Sequence, residues 1–140
     1  MKRKVKNIML GRAVRVPISL TVDPIEKQSH FGVITDADQK LDIISVLFED
    51  GTTGKYQFNC LETLYPIKTL LHGISIRNSR FNSDDYRSIH KIISLAMQGK
   101  QMEALKLAYD KLVIEEFCVT TTDNFFEIKT NLKKYLGLGK

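Results

Sequence analysis

Apolar and polar positions alternate with a period of two along much of the first half of the chain. The clearest case spans Val46–Phe58, where Phe48 precedes an Asp-Gly step and Tyr56 follows it within a second, shorter apolar pattern. This alternation is typical of half-buried β-strands, and an Asp-Gly step tolerates the positive φ angles that a tight reversal needs. The segment is therefore predicted to be a β-hairpin.

The same pattern predicts further short extended segments on both sides of this hairpin. A helical turn over residues 59–64 separates the fourth strand from the last. Pro66 suits an edge position, because proline cannot donate to a strand ladder. The five predicted strands cover residues 12–16, 31–35, 42–49, 55–58 and 64–67. Short strands joined by tight turns predict a small closed or nearly closed barrel.

Helical periodicity replaces this alternation in the second half of the chain. Residues 70–76 are interpreted as a final strand or a connector. Ser83 and the two aspartates after it form an N-cap and an acidic first turn, and residues 84–114 then read as a helix pair broken at Gly99. Residues 117–122 have a strand-like composition, and a terminal helix follows from Thr122 or Asp123.

The predicted fold is therefore α+β. An N-terminal five-stranded barrel precedes a helical C-terminal half, made of a helix hairpin and a terminal helix. The predicted organisation is a basic arm over residues 1–9, a barrel domain over 10–76 and a helical region over 77–140 that packs on the barrel.

The order of residues in the barrel segment resembles a Tudor or related SH3-like small barrel over residues 10–67. The matching residues are Gly11-x-x-Val14-x-Val16, Gly32-Val-Ile34, Val46-x-Phe48-Glu-Asp-Gly51, Tyr56 and Leu61-Glu-x-Leu64. The resemblance implies a binding module, because Tudor domains usually bind methylated lysine or arginine in an aromatic cage. Related barrels bind nucleic acid or protein surfaces. The first loop, residues 17–30, departs from the family in having no aromatic residue where a cage wall usually stands.

The composition is that of an ordinary soluble protein, with 140 residues of which 43% are hydrophobic. No apolar run approaches the 18 or more residues of a membrane span, and the basic start lacks the apolar stretch of a signal peptide. We therefore expect a cytoplasmic protein, in a cell or in the cytoplasm of a virus-infected host. Cys60 and Cys118 stand far apart, which favours two reduced thiols over a disulfide framework or a zinc site.

The net charge of +5 is concentrated at one end of the chain. Residues 1–15 carry a net charge of +6, whereas the remaining 125 residues carry 15 basic and 16 acidic side chains. Such an arm can contact phosphates or an acidic protein surface, and a solubilising tail is the alternative. Its basic residues are Lys2, Arg3, Lys4, Lys6, Arg12 and Arg15.

A second candidate binding surface precedes and enters the first long helix. Its residues are Arg77, Arg80, Phe81, Arg87 and Lys91, which offer donors for phosphate oxygens and a ring for stacking on a base. A structural interpretation, with ion pairs along the helix and Phe81 as a hydrophobic staple, stays open. Tyr56 is a further candidate, because its hydroxyl suits the mouth of a barrel.

No catalytic, cofactor-binding or metal-binding motif stands out. His30, His72 and His90 are scattered without a second ligand at metal-binding spacing, and there is no phosphate loop, nucleophile elbow or dinucleotide fingerprint. We therefore predict a protein that is not an enzyme and that has no metal and no cofactor. A cysteine nucleophile paired with a histidine, or a small nuclease built from Arg, His and Glu, remains as an alternative.

These patterns favour a protein-interaction factor. The small size and the Lys-, Ile- and Asn-rich composition suggest a viral or mobile-element protein that binds host transcription or defence machinery. The alternative is a nucleic-acid-binding module that uses the arm and the barrel edge. The near-neutral body favours a protein partner, because autonomous nucleic-acid binders usually spread positive charge over a folded face. No membrane partner or small-molecule substrate is indicated.

Overall fold

The computed structural model describes residues 8–18, 25–76 and 81–135. It confirms the α+β class. The strands are β1 (Ala13–Arg15), β2 (Phe31–Asp38), β3 (Ile43–Phe48), β4 (Thr53–Tyr56), β5 (Glu62–Leu64) and β6 (Val119–Thr121), with a 3-10 helix at Phe58–Cys60. The helices are α1 (Ile67–Ile76), α2 (Ser83–Met97), α3 (Gln101–Ala108), α4 (Leu112–Cys118) and α5 (Thr122–Tyr135).

The strands form one antiparallel sheet that curls into a half-barrel, in the order β4-β3-β2-β1-β5-β6. The predicted hairpin is confirmed, since β3 pairs with β4 in a register that places Val46 opposite Gly54. Three details differ from prediction. Phe58 begins the 3-10 helix and lies outside β4, and the helical turn predicted over residues 59–64 ends at Cys60. The last of the five predicted strands lies at Glu62–Leu64 instead of residues 64–67, so Pro66 lies outside the strands. The sixth strand, β6, lies within the segment 117–122 that was predicted to be strand-like. The Tudor or SH3-like assignment stays a prediction.

The tip of the hairpin is closed by polar contacts around one carboxylate. Asp50 Oδ1 accepts hydrogen bonds from the Thr52 amide at 3.0 Å and the Thr52 hydroxyl at 2.7 Å. The Lys27 ammonium group donates to Asp50 Oδ2. The Lys27 hydrogen bond, followed by those from Thr52, holds the pKa of Asp50 below its usual value. Gly51 takes a φ of 89°, which explains why glycine stands in this turn.

A β-bulge keeps β2 facing the core along its full length. The register with β3 shifts between Ile34 and Asp36, so Thr35 and Asp36 are both exposed while Ile34 and Ala37 are both buried. One extra residue of this kind restores the inward direction after a kink. The strand therefore continues to Asp38, past the turn predicted to begin at Asp36.

The helical half begins earlier than predicted. Residues 70–76, interpreted as a strand or connector, belong to α1, and the Leu70 amide donates to the Pro66 carbonyl at 3.1 Å. Proline suits this place because the first helical amides have no intrahelical partner. Helix α2 ends at Met97, before Gly99 at a φ of 81°, which agrees with the predicted break.

Two further boundaries also differ from prediction. Asn82, rather than Ser83, is the N-cap of α2, and it forms a reciprocal capping box with Asp85. The predicted second helix, which extended to residue 114, is divided into α3 and α4 by Tyr109–Lys111. Phe117 and Cys118, predicted to be strand-like, complete α4.

The chain forms two compact units. The first contains residues up to Thr63 and those from Thr121 onward, and the second contains Leu64–Thr120. The sequence-based division at residue 76 differs from this one, since α1 belongs to the second unit and α5 to the first. The first unit has a continuous core between the inner face of the sheet and α5: Met9, Val14, Val16, Ile34, Ala37, Ile44, Val46, Phe48, Tyr56, Phe58, Leu61 and Phe125.

The second unit is a helical assembly with its own buried residues. Helix α2 makes the most extensive packing contacts, with α1, α3 and α4. Its inward stripe consists of Ile89, Ile92 and Ile93, at the spacing expected of one helix face. None of the helices within the described ranges combines the length and apolar character needed to cross a membrane.

A guanidinium group links three elements of the first unit. Arg12 Nε donates to Thr63 Oγ1 at 2.9 Å, and the Thr63 hydroxyl donates in turn to the Ala13 carbonyl at 2.8 Å. The guanidinium carbon of Arg12 lies 3.8 Å from the centroid of the Phe125 ring. Burial lowers the pKa of Arg12 to about 10, so the group stays charged at neutral pH.

Replacing Thr63 with valine tests this link. Thr63→Val should destabilise the protein by about 1–3 kcal/mol, because Arg12 Nε and the Ala13 carbonyl both lose a hydrogen bond in a buried setting. Urea unfolding followed by circular dichroism measures the change. Thr53→Val is the matched control, since Thr53 is exposed on β4, and it should change stability by less than about 0.5 kcal/mol. Equal effects of the two substitutions would contradict the proposed link.

Lowering the pH should reduce the stability of the second unit, because it protonates the Asp85 carboxylate. Its carboxylate accepts hydrogen bonds from the Asn82 amide at 3.0 Å and from Lys111 Nζ at 3.1 Å. The Asn82 bond first, and Lys111 second, lower the pKa of Asp85. Because the folded-state pKa lies below the unfolded one, the stabilisation is complete above about pH 4 and is lost as pH falls through the folded-state value.

Two charge-neutralising substitutions measure this contribution. Asp85→Asn should lower the urea midpoint at pH 7 and flatten its dependence on pH below about 4. Asp84→Asn is the control, because Asp84 lies one position earlier on an exposed face and contacts only the exposed Arg87 at 3.4 Å among the described residues. If both variants kept the full acid dependence, the assignment to Asp85 would be wrong.

Candidate functional site

A concave groove lies on the first unit, between the turn that follows β2, the 3-10 helix and α5. Its cavity volume is about 280 Å³. The lining residues are Gln39, Asp42, Phe58, Asp123, Phe126, Glu127, Thr130 and Asn131. They come from three elements that are distant in sequence, so the groove exists only in the folded chain.

The turn side of the groove is held by Asp42. This residue has a φ of 56°, a region that aspartate and asparagine tolerate better than most residues. Its Oδ1 accepts a hydrogen bond from the Phe58 amide at 3.0 Å, which ties the β2–β3 turn to the 3-10 helix. The Asp42 amide also donates to the Gln39 carbonyl at 3.2 Å, closing the turn itself. The backbone on this side is therefore fixed.

The helix side is held by Thr122, the first residue of α5. Its side chain is fully buried, and its hydroxyl donates to the Phe58 carbonyl. Its amide donates to the Leu61 carbonyl at 3.0 Å. Two hydrogen bonds thus attach the start of α5 to both ends of the 3-10 segment, so the opposite walls of the groove keep their separation.

Two phenylalanine rings supply the apolar lining. Phe58 is buried, whereas Phe126 is half-buried and packs against the core cluster. Their centroids lie 6.0 Å apart with an angle of 70° between the ring planes. This edge-to-face arrangement suits the quadrupoles of the two rings and fixes their orientation.

Polar groups follow one stripe of α5 along the rim. Asp123, Glu127 and Asn131 are spaced four residues apart, which places them above one another on a helix face. Asp123 Oδ1 accepts hydrogen bonds from the Thr121 hydroxyl and, at 2.8 Å, from the Asn124 amide. Glu127 is exposed, and no described side chain forms a hydrogen bond with its carboxylate. Asn131 is half-buried.

The arrangement limits the ligands that the groove suits. Within residues 8–18, 25–76 and 81–135, no three His, Cys, Asp or Glu side chains are grouped so that they could hold a metal ion. The Thr130 hydroxyl donates to the Phe126 and Glu127 carbonyls of its own helix, both at 3.0 Å. The groove therefore presents carboxylate and amide groups beside an aromatic surface.

The predicted site residues lie elsewhere. Lys2, Arg3, Lys4, Lys6, Arg77 and Arg80 fall outside the described residues. Arg12 and Arg15 both contact other groups of the first unit. Arg12 contacts Thr63 and Phe125, as described above. Arg15 lies 3.8 Å from the Glu62 carboxylate, with its guanidinium carbon 5.8 Å from the Phe31 ring centroid.

The remaining predicted residues are divided between the two units. Tyr56 is 8% exposed in the core of the first unit, with its ring edge-to-face against Phe48 at 6.2 Å. In the second unit, Phe81 packs edge-to-face against Tyr86 at 5.5 Å and Phe117 at 5.1 Å. Arg87 and Lys91 are exposed on α2. Their roles in binding stay predictions.

None of the groove residues was among the sequence-based site candidates. A partial signal exists, because the four-residue spacing from Asp123 to Asn131 predicts a polar stripe beside the apolar one. The spacing does not indicate that Asp42 and Phe58 face this stripe, since that depends on the course of the chain through β3 and β4. The residues behind the Tudor resemblance do not line the groove either.

Comparison with protein families, with curated proteins and with solved structures finds no match to this chain. The groove is therefore interpreted from its geometry and its chemistry.

The Thr122 hydroxyl should control the shape of the groove. Thr122→Val leaves the Phe58 carbonyl without this donor and should cost about 1–3 kcal/mol. Thr122→Ser is the control, since it keeps the hydroxyl and removes one methyl group, at about 1 kcal/mol. Amide resonances of the 3-10 segment and the first turn of α5 should move in the valine variant and stay in place in the serine variant. Unchanged resonances in both would contradict this role.

Proposed function

We propose that the protein is a protein-interaction module that holds a segment of a partner protein in the groove beside α5. The observation that carries the proposal is the combination of an aromatic lining with a polar rim, on backbone fixed by Asp42 and Thr122. Binding sites commonly pair apolar area, which supplies affinity, with a few placed polar groups that set orientation. Fixed walls also reduce the entropy lost on binding.

The size of the groove favours a side chain as the bound group. Pockets for drug-sized ligands usually measure about 300–1,000 Å³, and this cavity of about 280 Å³ is slightly smaller and open. A partner segment can place one side chain in the cavity while its backbone runs along the rim. Glu127 and Asn131 are positioned to contact that backbone or its neighbouring side chains.

The charge of the rim favours a protein segment over nucleic acid at this place. Three carboxylates, those of Asp42, Asp123 and Glu127, line the groove, and none of its lining residues in the described part of the chain is a lysine or arginine. Phosphate groups would be repelled by such a rim, whereas nucleic-acid binding depends on neutralising phosphates with basic side chains. The nucleic-acid alternative would use the N-terminal arm and the barrel edge instead.

Selection from a random peptide display library tests the proposal. The immobilised protein should enrich peptides that shift the amide resonances of groove residues such as Gln39, Asp42, Glu127 and Asn131. Asn131→Trp fills the groove and should reduce binding of these peptides at least about tenfold, a change of 1.4 kcal/mol in binding free energy. Lys129→Trp is the matched control, because Lys129 is exposed on the same helix and does not line the groove.

Two results would contradict the proposal. In the first, the enriched peptides bind the wild type and Asn131→Trp equally well. In the second, no peptide is enriched, while single-stranded DNA or RNA binds with an affinity that falls steeply with salt and is unaffected by Asn131→Trp. The second result would favour the nucleic-acid-binding alternative.

A further inference from the structure

We infer that the side chain received by the groove is an arginine of the partner segment, an inference that rests on the function proposed above. The groove combines two features that a guanidinium needs, which are carboxylates on the rim and an aromatic ring in the lining. Each feature alone is common on protein surfaces. The presence of both features in one cavity of fixed shape restricts the class of ligand that the cavity suits.

The carboxylates favour a cation as the ligand, and they stand on two walls of the groove. Asp42 stands on the turn, and Asp123 and Glu127 stand one helical turn apart on α5. Asp42 and Asp123 each use Oδ1 to accept a hydrogen bond from a backbone amide, so each carboxylate is held in position. Acceptors placed on both walls match the five donors that a guanidinium spreads around its plane.

The aromatic lining favours arginine over lysine. A planar, weakly hydrated guanidinium stacks on a ring, whereas an ammonium group is compact and strongly hydrated. The same protein already shows this contact, with the Arg12 guanidinium 3.8 Å from the Phe125 ring centroid. Phe126, the next residue on α5, presents a half-buried ring to the groove.

Other occupants of the same charge fit less well. The described residues include no group of three ligands that could hold a metal ion, so the carboxylates do not converge on a point. A spread of acceptors around an aromatic surface suits an extended organic cation. The long aliphatic stem of arginine can also cover the Phe58 and Phe126 edges, as such stems commonly do on apolar surfaces.

Blocked pentapeptides of sequence Gly-Ser-X-Ser-Gly test the inference, with X as arginine, citrulline or lysine. Citrulline keeps the shape of arginine and removes its charge. The arginine peptide should shift the groove amides with a dissociation constant on the order of 1 mM, as expected for a single side chain. Citrulline should bind about tenfold more weakly and lysine several-fold more weakly. The arginine affinity should also fall as salt is raised.

Neutralising one rim carboxylate supplies the protein-side test. Glu127→Gln should weaken the arginine peptide about two- to fivefold, the range expected for an exposed ion pair, and should leave the citrulline peptide unchanged. Glu103→Gln is the control, because it makes the same change at an exposed position of α3 that does not line the groove. Urea unfolding of both variants checks that stability is unaffected.

The outcomes separate this inference from the function on which it rests. Equal shifts from the arginine and citrulline peptides, or no shift of the groove amides by the arginine peptide, would overturn the arginine inference. Enriched display peptides that bind the groove without arginine would also overturn it and would leave the protein-interaction function standing. Enriched peptides of which none shifts the groove amides, or all of which bind Asn131→Trp as tightly as the wild type, would contradict the function itself.

Discussion

The fold of the first unit depends on the position of one guanidinium group, that of Arg12. Strands β1 and β5 share a single register pair, Arg15 with Glu62, so the ladder between them supplies little cohesion. Arg12 and Thr63 add two side-chain hydrogen bonds at this junction, one to each other and one to the β1 backbone. The cost of partly desolvating the charge is offset by the hydroxyl acceptor and by the face of the Phe125 ring.

This junction also determines where α5 lies, and hence the shape of the groove. Phe125 is 2% exposed, so the face of α5 that carries it packs against the core and Arg12. Successive residues of an α-helix are rotated by about 100°, so Phe126 is turned away from that face toward the 3-10 helix. Thr122 fixes the start of the same helix to Phe58 and Leu61. The chemistry of the groove therefore follows from contacts that are structural in origin.

Local patterns in the sequence were sufficient to predict the elements with strong periodicity. The hairpin of β3 and β4 could be predicted because inward residues alternate and Gly51 supplies a positive φ. Helix α1 was not predicted, because it is a short segment of ten mostly apolar residues. Short apolar segments occur in buried strands as well as in helices. The groove was missed for a different reason. Asp42 and Asp123 are separated by 81 positions, and only the tertiary fold brings them to one cavity.

The positions of charged residues along the sequence do not show which charges a partner can contact. Arg12 and Arg15 belong to the basic cluster of the sequence, yet both side chains face other groups of their own unit. Three carboxylates, in contrast, line the groove of that unit. The charged residues that line the groove are therefore all acidic among the described residues, although the whole chain carries a net charge of +5. Electrostatic interactions act over about a Debye length, near 10 Å in 0.1 M salt, so the proposed partner segment would respond to this local charge more than to the net charge of the chain.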